Sequence, residues 1–214
     1  MKKFYLTVCI LLIFVSFLIT SYANVTAYHI VIDAGHGGMD GGTSVGNILE
    51  SDLVLEISLK LKENLERKGY IVTLTRKDKN ALCDGKFIKR ADMNKRVDII
   101  NKSNADLALS IHLNSYSDSK YRGAQVFYCD NIKENEVLAS DIQNALINNL
   151  NNTDRKIVRR DNIYLLNRVI IPTCIIECGF MTNFNELTLL KNDEYQHRLA
   201  DAIINGISNY LRTQ

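Results

Sequence analysis

The chain has 214 residues, of which 46% are hydrophobic and 23% are charged. This length is enough to bury one substantial core and too short for two comfortable domains, so we expect a single domain. The net charge is only +2. Because a nucleic-acid-binding protein needs a strongly basic surface, this balance argues against nucleic acid as the main partner.

The first 23 residues have the layout of an export signal. Met1-Lys2-Lys3 precede an almost uninterrupted apolar run from Phe4 to Ile19, and Ala23 lies at the small-residue exit. The apolar run is close to the lower limit of roughly 17 residues for a membrane-spanning helix. We therefore expect residues 1–23 to be either a cleaved signal peptide or a retained membrane anchor, and the protein to work outside the cytoplasm.

Strand-like and helix-like patterns alternate after this segment. Apolar strand-like runs lie at 28–32, 70–75, 106–111, 123–129 and 173–178, and helical spacing of apolar residues lies at 53–65, 91–101, 137–146 and 199–210. Strands separated by helices need crossover connections, which make a parallel sheet. The sequence predicts an α/β fold over residues 28–214, with one mostly parallel twisted sheet flanked by helices on both faces.

Four cysteines follow the N-terminal segment, namely Cys83, Cys129, Cys174 and Cys178. Cys174 and Cys178 are four positions apart in a strand-like run, which separates them by roughly 13 Å, too far for a disulfide bond. The cysteine spacing also matches no paired zinc-binding pattern. We expect four free thiols, buried or half-buried, rather than a disulfide framework or a zinc–thiolate site.

Three apolar strand-like runs each end in a residue suited to metal chemistry. His36 lies on the glycine-rich stretch after the first run, His112 follows the run at 106–111, and Glu177 lies near the end of the last run. The carboxyl ends of parallel strands meet at one edge of a sheet, so we expect these side chains to converge there. Glu50 begins the first predicted helix, and the glycine-rich loop before it can fold back to present His36 and Glu50 to one ion.

Two imidazoles and one carboxylate match a catalytic zinc site with an open position for water. We therefore predict that His36, Glu50 and His112 bind Zn²⁺. Zinc lowers the pKa of a bound water to roughly 7, and a carboxylate within hydrogen-bonding reach can take its proton. Glu177 is the predicted catalytic residue, because a carboxylate at the end of so apolar a strand is costly to bury unless its charge is used.

These residues belong to an ordered set of motifs. The set comprises Asp33-Ala34-Gly35-His36-Gly37-Gly38, Glu50, Thr75-Arg76, Arg96 with Asn101, Ser110-Ile111-His112-Leu113-Asn114 and Glu177-Cys178-Gly179-Phe180-Met181-Thr182-Asn183. From about residue 28 onward the chain resembles the zinc-dependent N-acetylmuramoyl-L-alanine amidases of the amidase 3 type. The resemblance implies zinc ligands His36, Glu50 and His112 and catalytic Glu177. It also implies hydrolysis of the amide that joins the lactyl group of N-acetylmuramic acid to L-alanine in peptidoglycan.

The resemblance extends to a biological setting. A short chain with an N-terminal hydrophobic segment and no wall-binding repeats is similar to the germination-specific, spore-cortex branch of the family, which strips stem peptides during formation of muramic δ-lactam. The expected partners are peptidoglycan glycan strands with stem peptides, an accessory or activating protein, and the membrane if residues 1–23 are retained. We expect the protein to be secreted or anchored at the cell envelope or forespore envelope.

Two other functions remain open from the sequence. A degenerate amidase fold would hold muropeptides without cleaving them, as a binding or scaffold protein, and a zinc peptidase would cut within the stem peptide. Several further residues carry smaller expectations. We expect His29 and His197 to be structural, and Arg96 to form an ion pair with Glu50 or another acid of the site. The basic run at 155–160 is either a solvated loop or a contact for stem-peptide carboxylates.

Overall fold

The computed structural model describes residues 27–83 and 86–213, so the predicted signal peptide or anchor at 1–23 lies outside the described residues. Over the described ranges, no helix is both long enough and apolar enough to cross a bilayer. The strands are β1 (His29–Ala34), β2 (Ser44–Val45), β3 (Ile48–Leu49), β4 (Ile71–Leu74), β5 (Leu107–Asn114), β6 (Gln125–Tyr128), β7 (Val158–Arg159) and β8 (Thr173–Phe180). The helices are α1 (Glu50–Arg67), α2 (Lys89–Lys102), α3 (Glu134–Leu150), α4 (Phe184–Leu190) and α5 (Asp193–Arg212).

Six strands form one sheet in the order β4-β1-β5-β8-β6-β7, and β2 pairs with β3 in a separate antiparallel hairpin. The strands β4, β1, β5 and β8 are parallel, β6 runs antiparallel to β8, and β7 runs parallel to β6. The predicted mostly parallel sheet is therefore confirmed. The reversal at β6 follows from the absence of a helix between β5 and β6 in residues 115–124, because a parallel return to the sheet usually uses a helical crossover.

Helices cover both faces of the sheet, as predicted. The larger apolar cluster joins α1, α3 and α5 to one face, to which Leu107, Leu109 and Ile111 of β5 point. The smaller cluster lies on the opposite face and joins α2 and the segment at 163–171 to Ala108 and Ile175. Because side chains alternate along a strand, Ser110 and His112 of β5 lie on the α2 face. We call this side, which also carries the candidate site, the α2 face.

A bulge interrupts the pairing of β5 with β8. His112 is opposite Glu177, but Asn114 is opposite Phe180, so β8 has one extra residue in this interval. Gly179 adopts a φ of +153°, which a residue with a side chain rarely adopts. The extra residue breaks the strict alternation along β8, and it places both Glu177 and Phe180 on the α2 face.

The four cysteines in the described part of the chain are free thiols, as expected. Cys174 and Cys178 point into the larger apolar cluster, where burial raises the pKa of both thiols. Cys129 is buried in the smaller cluster, and Cys83 is half-buried. None of them forms a disulfide bond in the described residues.

Candidate metal centre and active-site cleft

The structure brings His36, Glu50 and His112 together at the carboxyl edge of the sheet. One ligand atom from each lies within 4.8 Å of the others. The Oε1 atom of Glu50 is 3.1 Å from Nε2 of His36 and 3.2 Å from Nδ1 of His112. The two imidazole rings are edge to face, with centroids 4.9 Å apart. Three chain segments therefore converge here: the loop after β1, the first residue of α1 and the end of β5.

This donor set fits a tetrahedral divalent cation. Two donors that each bind such an ion at roughly 2.0–2.1 Å are about 3.3 Å apart across a tetrahedral angle. The two nitrogen–oxygen distances at Glu50, 3.1 and 3.2 Å, are close to that separation. Neutral imidazole and carboxylate are also the ligand types that catalytic zinc sites use. The ligand chemistry and the two separations at Glu50 thus fit a zinc ion.

Glu50 and His36 are each supported by further contacts. Glu50 is 3% exposed, and its carboxylate accepts hydrogen bonds from the backbone N–H groups of Thr43 (2.8 Å) and Leu113 (3.1 Å). Burial acts to raise the pKa of Glu50, but the hydrogen bonds and charges of His112 and His36 outweigh it and hold that pKa well below its usual range. Oδ1 of Asp40 lies 3.0 Å from Nδ1 of His36, the nitrogen that faces away from Glu50. A carboxylate in this position orients a metal-binding histidine.

Two glycines make the convergence possible. A Cβ atom at Gly35 would lie 2.4 Å from Cε1 of His112, and a Cβ atom at Gly42 would lie 2.6 Å from Oε2 of Glu50. Real Cβ atoms essentially never make contacts this short. Gly42 also has a φ of +67°, which disfavours a side chain for conformational reasons. The lack of side chains at these glycines therefore leaves the space that the His112 imidazole and the Glu50 carboxylate occupy.

Two buried arginines hold the loop that carries His36. Arg76 donates to the carbonyl groups of Ala34 (2.9 Å), Gly35 (2.7 Å) and Ser51 (2.8 Å), so it links the end of β1 to the first turn of α1. Burial, followed by the charge of Arg96, lowers the pKa of Arg76 to about 10. Arg76 remains a cation at neutral pH, and its charge is applied to backbone carbonyl oxygens.

Arg96 is the second of these arginines, and it is 2% exposed. It forms ion pairs with Asp33 (2.7 Å) and Asp92 (2.8 Å) and donates to the carbonyl groups of Ala34 and His36. The expected structural ion pair is confirmed, but Glu50 is not its partner, because the oxygens of Glu50 face the two histidines, Thr43 and Leu113. In the sequence, Asp33 and Arg76 stand out only as members of motifs. A charged residue directly after an apolar strand is the signal by which the sequence could have indicated both.

Asp33 completes the network under the site. It accepts hydrogen bonds from Thr75 and Ser110, both at 2.7 Å, in addition to the pair with Arg96. Burial acts to raise the pKa of Asp33, but Arg96, Ser110 and Thr75 together lower it below its ordinary value. The carboxylate is thus kept ionised and joins β1, β4 and β5 below the histidines.

Glu177 faces the same centre from the neighbouring strand. It is paired in register with His112, and its Oε2 atom is buried without a hydrogen-bond partner. Burial raises its pKa to about 7, with a further contribution from the charge of Glu50 and an opposing one from His112. Glu177 lines a cavity of about 180 Å³ together with His36 and His112, and Met93, Leu165 and Ile175 form part of its apolar wall.

Comparison with known proteins decides the family. A family model described as N-acetylmuramoyl-L-alanine amidase matches residues 30–209. The chain belongs to this amidase family. It is 41% identical over 187 residues to the germination-specific N-acetylmuramoyl-L-alanine amidase of Bacillus subtilis, an alignment that covers 85% of this chain and 79% of that relative.

Solved structures agree with this assignment. The CwlD amidase from Clostridioides difficile, solved in complex with the GerS lipoprotein, superposes with a TM-score of 0.83 at 39% identity, covering 87% of this chain and all of that one. An N-acetylmuramoyl-L-alanine amidase from Clostridium difficile 630 gives a TM-score of 0.79 at 32% identity, covering 88% of this chain and 98% of that one. The fold and the enzyme class predicted from the sequence are thereby confirmed.

The remaining expectations concern residues away from the centre. Nε2 of His29 lies 2.9 Å from Oγ1 of Thr73, between neighbouring strands, and His197 lies on the α5 surface near Asp193. Both positions fit a structural role. Cys129, Asp130 and Asp161 form a second group with metal-binding atoms. The guanidinium of Arg159 bridges its two carboxylates, so this group carries its own cation.

Proposed function

We propose that this amidase is a zinc-dependent hydrolase that cleaves the amide between the lactyl group of N-acetylmuramic acid and L-alanine in peptidoglycan. The observation that carries the proposal is the convergence of His36, Glu50 and His112 beside the unpartnered buried carboxylate of Glu177. Family membership supplies the reaction class, and these four side chains supply the groups that such a reaction needs. His36, Glu50 and His112 are the proposed ligands of zinc.

Zinc bound there would supply Lewis acidity, activating a water molecule and polarising the scissile carbonyl group. Glu177 would take the proton of the attacking water at its free Oε2 atom and deliver that proton to the leaving nitrogen of L-alanine. Its raised pKa suits this exchange, because a group that titrates near neutral pH can both accept and release a proton. Asp40 would keep the His36 ring oriented from the nitrogen that faces away from Glu50, and the two buried arginines would fix the loop that carries His36.

The relatives suggest the biological setting. One is named as germination-specific, and another was solved as a complex with a lipoprotein. By analogy, we propose that this amidase acts on spore-cortex peptidoglycan, outside the cytoplasm, with an accessory protein. In this proposal residues 1–23 direct export, as a cleaved signal or as a retained membrane anchor.

Product analysis of purified peptidoglycan tests the reaction. Incubation with the purified protein is expected to release intact stem peptides that begin with L-alanine and to leave glycan strands without stems. Stems cleaved internally would instead identify a peptidase, and unchanged sacculi despite tight muropeptide binding would identify a scaffold. Chelation is expected to stop release, and added zinc to restore it. The His36→Ala and His112→Ala variants are expected to lose both bound zinc, by elemental analysis, and hydrolysis.

A further inference from the structure

The α2 face of the sheet continues beyond Glu177 onto β6. Gln125 of β6 is the antiparallel partner of Glu177, and paired residues in an antiparallel ladder point to the same face. The bulge at Gly179 brings Phe180 to that face as well. Gln125 therefore lies beside the proposed general base on the β6 side of β8, and Phe180 lies three positions along β8 from Glu177 on the same face.

The side chain of Arg155 lies against Gln125 and Phe180. Its guanidinium is 4.7 Å from the centre of the Phe180 ring and 5.8 Å from that of Tyr121. Nε donates to the backbone carbonyl of Arg122 (2.6 Å), and Nη1 contacts Oε1 of Gln125 at 3.3 Å. A cation stacked on aromatic rings and bonded at two of its nitrogens has little freedom to move. The Arg155 side chain is thus held in place before any ligand arrives.

Within the described residues, the fixed guanidinium forms no ion pair with a carboxylate. Over residues 27–83 and 86–213, no acidic oxygen lies within ion-pair distance of Arg155, whereas Arg159 in the same basic run is paired with Asp130 and Asp161. Burial raises the pKa of Glu186, although the charge of Arg155 acts to lower it, and no ion pair joins the two side chains. The Glu186 carboxylate accepts hydrogen bonds from the backbone N–H groups of Gly123 and Phe180. Arg155 therefore retains donors for an external anion, and a planar fork of this kind matches a carboxylate.

We propose that Arg155 binds a carboxylate of the stem peptide and so determines the preference of this amidase for acidic stems. The inference rests on the proposed function, because it takes peptidoglycan as the substrate. In the glycan strand the sugars are neutral and the lactyl carboxyl is tied up in the scissile amide. The peptide side of the bond is consequently the only source of free carboxylates. Arg155 contacts Gln125, which is the sheet partner of the proposed base Glu177.

The test compares matched substrates and matched variants. The substrates are N-acetylmuramoyl tripeptides in three forms. One form keeps all its free carboxylates, a second has a single carboxylate converted to an amide, made for each carboxylate in turn, and the third has all of them converted. The variants are Arg155→Gln, which keeps a polar side chain, and Arg155→Lys, which keeps the charge but not the fork. Arg159→Gln is the control. It removes one positive charge from the same basic run, but at an arginine that is already paired with carboxylates of the protein. Circular dichroism and thermal unfolding check that each variant is folded.

The wild-type protein is expected to cleave the acidic substrate with a kcat/KM about 10 to 100 times that for its fully amidated form, mainly through KM. Arg155→Gln is expected to lose this preference and to cleave the acidic and amidated substrates with similar kcat/KM, and Arg155→Lys to recover only part of the preference. The singly amidated substrates then identify which carboxylate is bound. Arg159→Gln is expected to keep the full preference.

Two outcomes overturn the proposal: a wild-type protein that cleaves both forms equally, or a preference that survives in Arg155→Gln. Calorimetric binding of the product tripeptides, acidic and amidated, provides a readout that does not need hydrolysis. If the wild type cleaves no substrate, the proposed function fails. In that case the role of Arg155 is supported if the wild type, but not Arg155→Gln, binds the acidic tripeptide at least 10 times more tightly than the amidated one. Any other binding result excludes that role.

Discussion

Replacement of Gly35 by alanine should damage the metal centre while leaving the fold in place. The added Cβ atom would lie 2.4, 2.6 and 2.7 Å from Cε1, Nε2 and Nδ1 of His112, where contacts of 3.4 Å or more are ordinary. The backbone of Gly35 is fixed by Arg76 and by a hydrogen bond to Ile111, so the ring must be the part that moves. The required displacement is the difference between 3.4 and 2.4 Å, about 1 Å.

A shift of this size separates the His112 nitrogen from Glu50. We expect Gly35→Ala to bind zinc 10 to 100 times more weakly than the wild type and to lose roughly 100-fold in kcat/KM, because a misplacement of about 1 Å in a catalytic site has that scale of effect. Zinc affinity is measured by competition with a chromophoric chelator, and activity by release of stem peptides. The unfolding midpoint of the metal-free protein should change little, since Gly35 does not have a left-handed φ.

Gly46→Ala is the matched control. Gly46 has a φ of +57°, and no atom lies within 4 Å of the position that a Cβ atom would take there, so this variant adds a methyl group and backbone strain without touching the site. We expect a loss of about 1–2 kcal/mol in stability with unchanged zinc affinity. Wild-type zinc affinity in Gly35→Ala would refute the reasoning, as it would mean that His112 can relocate without consequence.

Three other changes probe the base and the buried charges. Glu177→Gln should retain zinc and lose about 10²- to 10⁴-fold in hydrolysis; a wild-type rate would exclude Glu177 as the base. Arg96→Met leaves Asp33 and Asp92 buried without their cation, so urea unfolding should show a loss of about 3–5 kcal/mol, and a loss below about 1 kcal/mol would contradict the network described above. The pKa of Asp33 is lowered on folding, so its contribution to stability is present above the ordinary value of 3.8 and disappears as the pH falls through the lower folded value. The unfolding free energy of the wild type should therefore drop in acid, whereas Asp33→Asn, less stable at pH 7, should show a shallower dependence there.

Much of the fold was predictable because its long elements carry strong periodic signals. The predicted helix at 53–65 corresponds to α1 (Glu50–Arg67), and the last one at 199–210 to α5 (Asp193–Arg212). The sequence did not indicate β2, β3 or β7, since two residues are too few to show alternation, and α4 is shorter than a detectable amphipathic pattern. Strand direction at β6 was also invisible, because it depends on which neighbour the strand joins.

The candidate site was predictable for a different reason. His36, His112 and Glu177 all lie near the carboxyl ends of adjacent parallel strands, so a rule about sheet edges was enough to bring them together. Its supporting contacts were not predictable. The pairing of Arg96 with Asp33 joins side chains more than 60 positions apart in the sequence, and the proposed role of Arg155 depends on a one-residue bulge that turns Phe180. Neither leaves a periodic trace in the chain.

The position of β8 in the sheet has a consequence for the order of assembly. This strand is the last one in the sequence, yet it lies between β5 and β6, which do not pair with each other. A nascent chain that ends before β8 therefore cannot attach β6 and β7 to the rest of the sheet, and it lacks Glu177 altogether. Hydrolytic competence should thus appear only after β8 has been synthesised, so a chain that is unfinished or clipped before β8 should leave peptidoglycan intact.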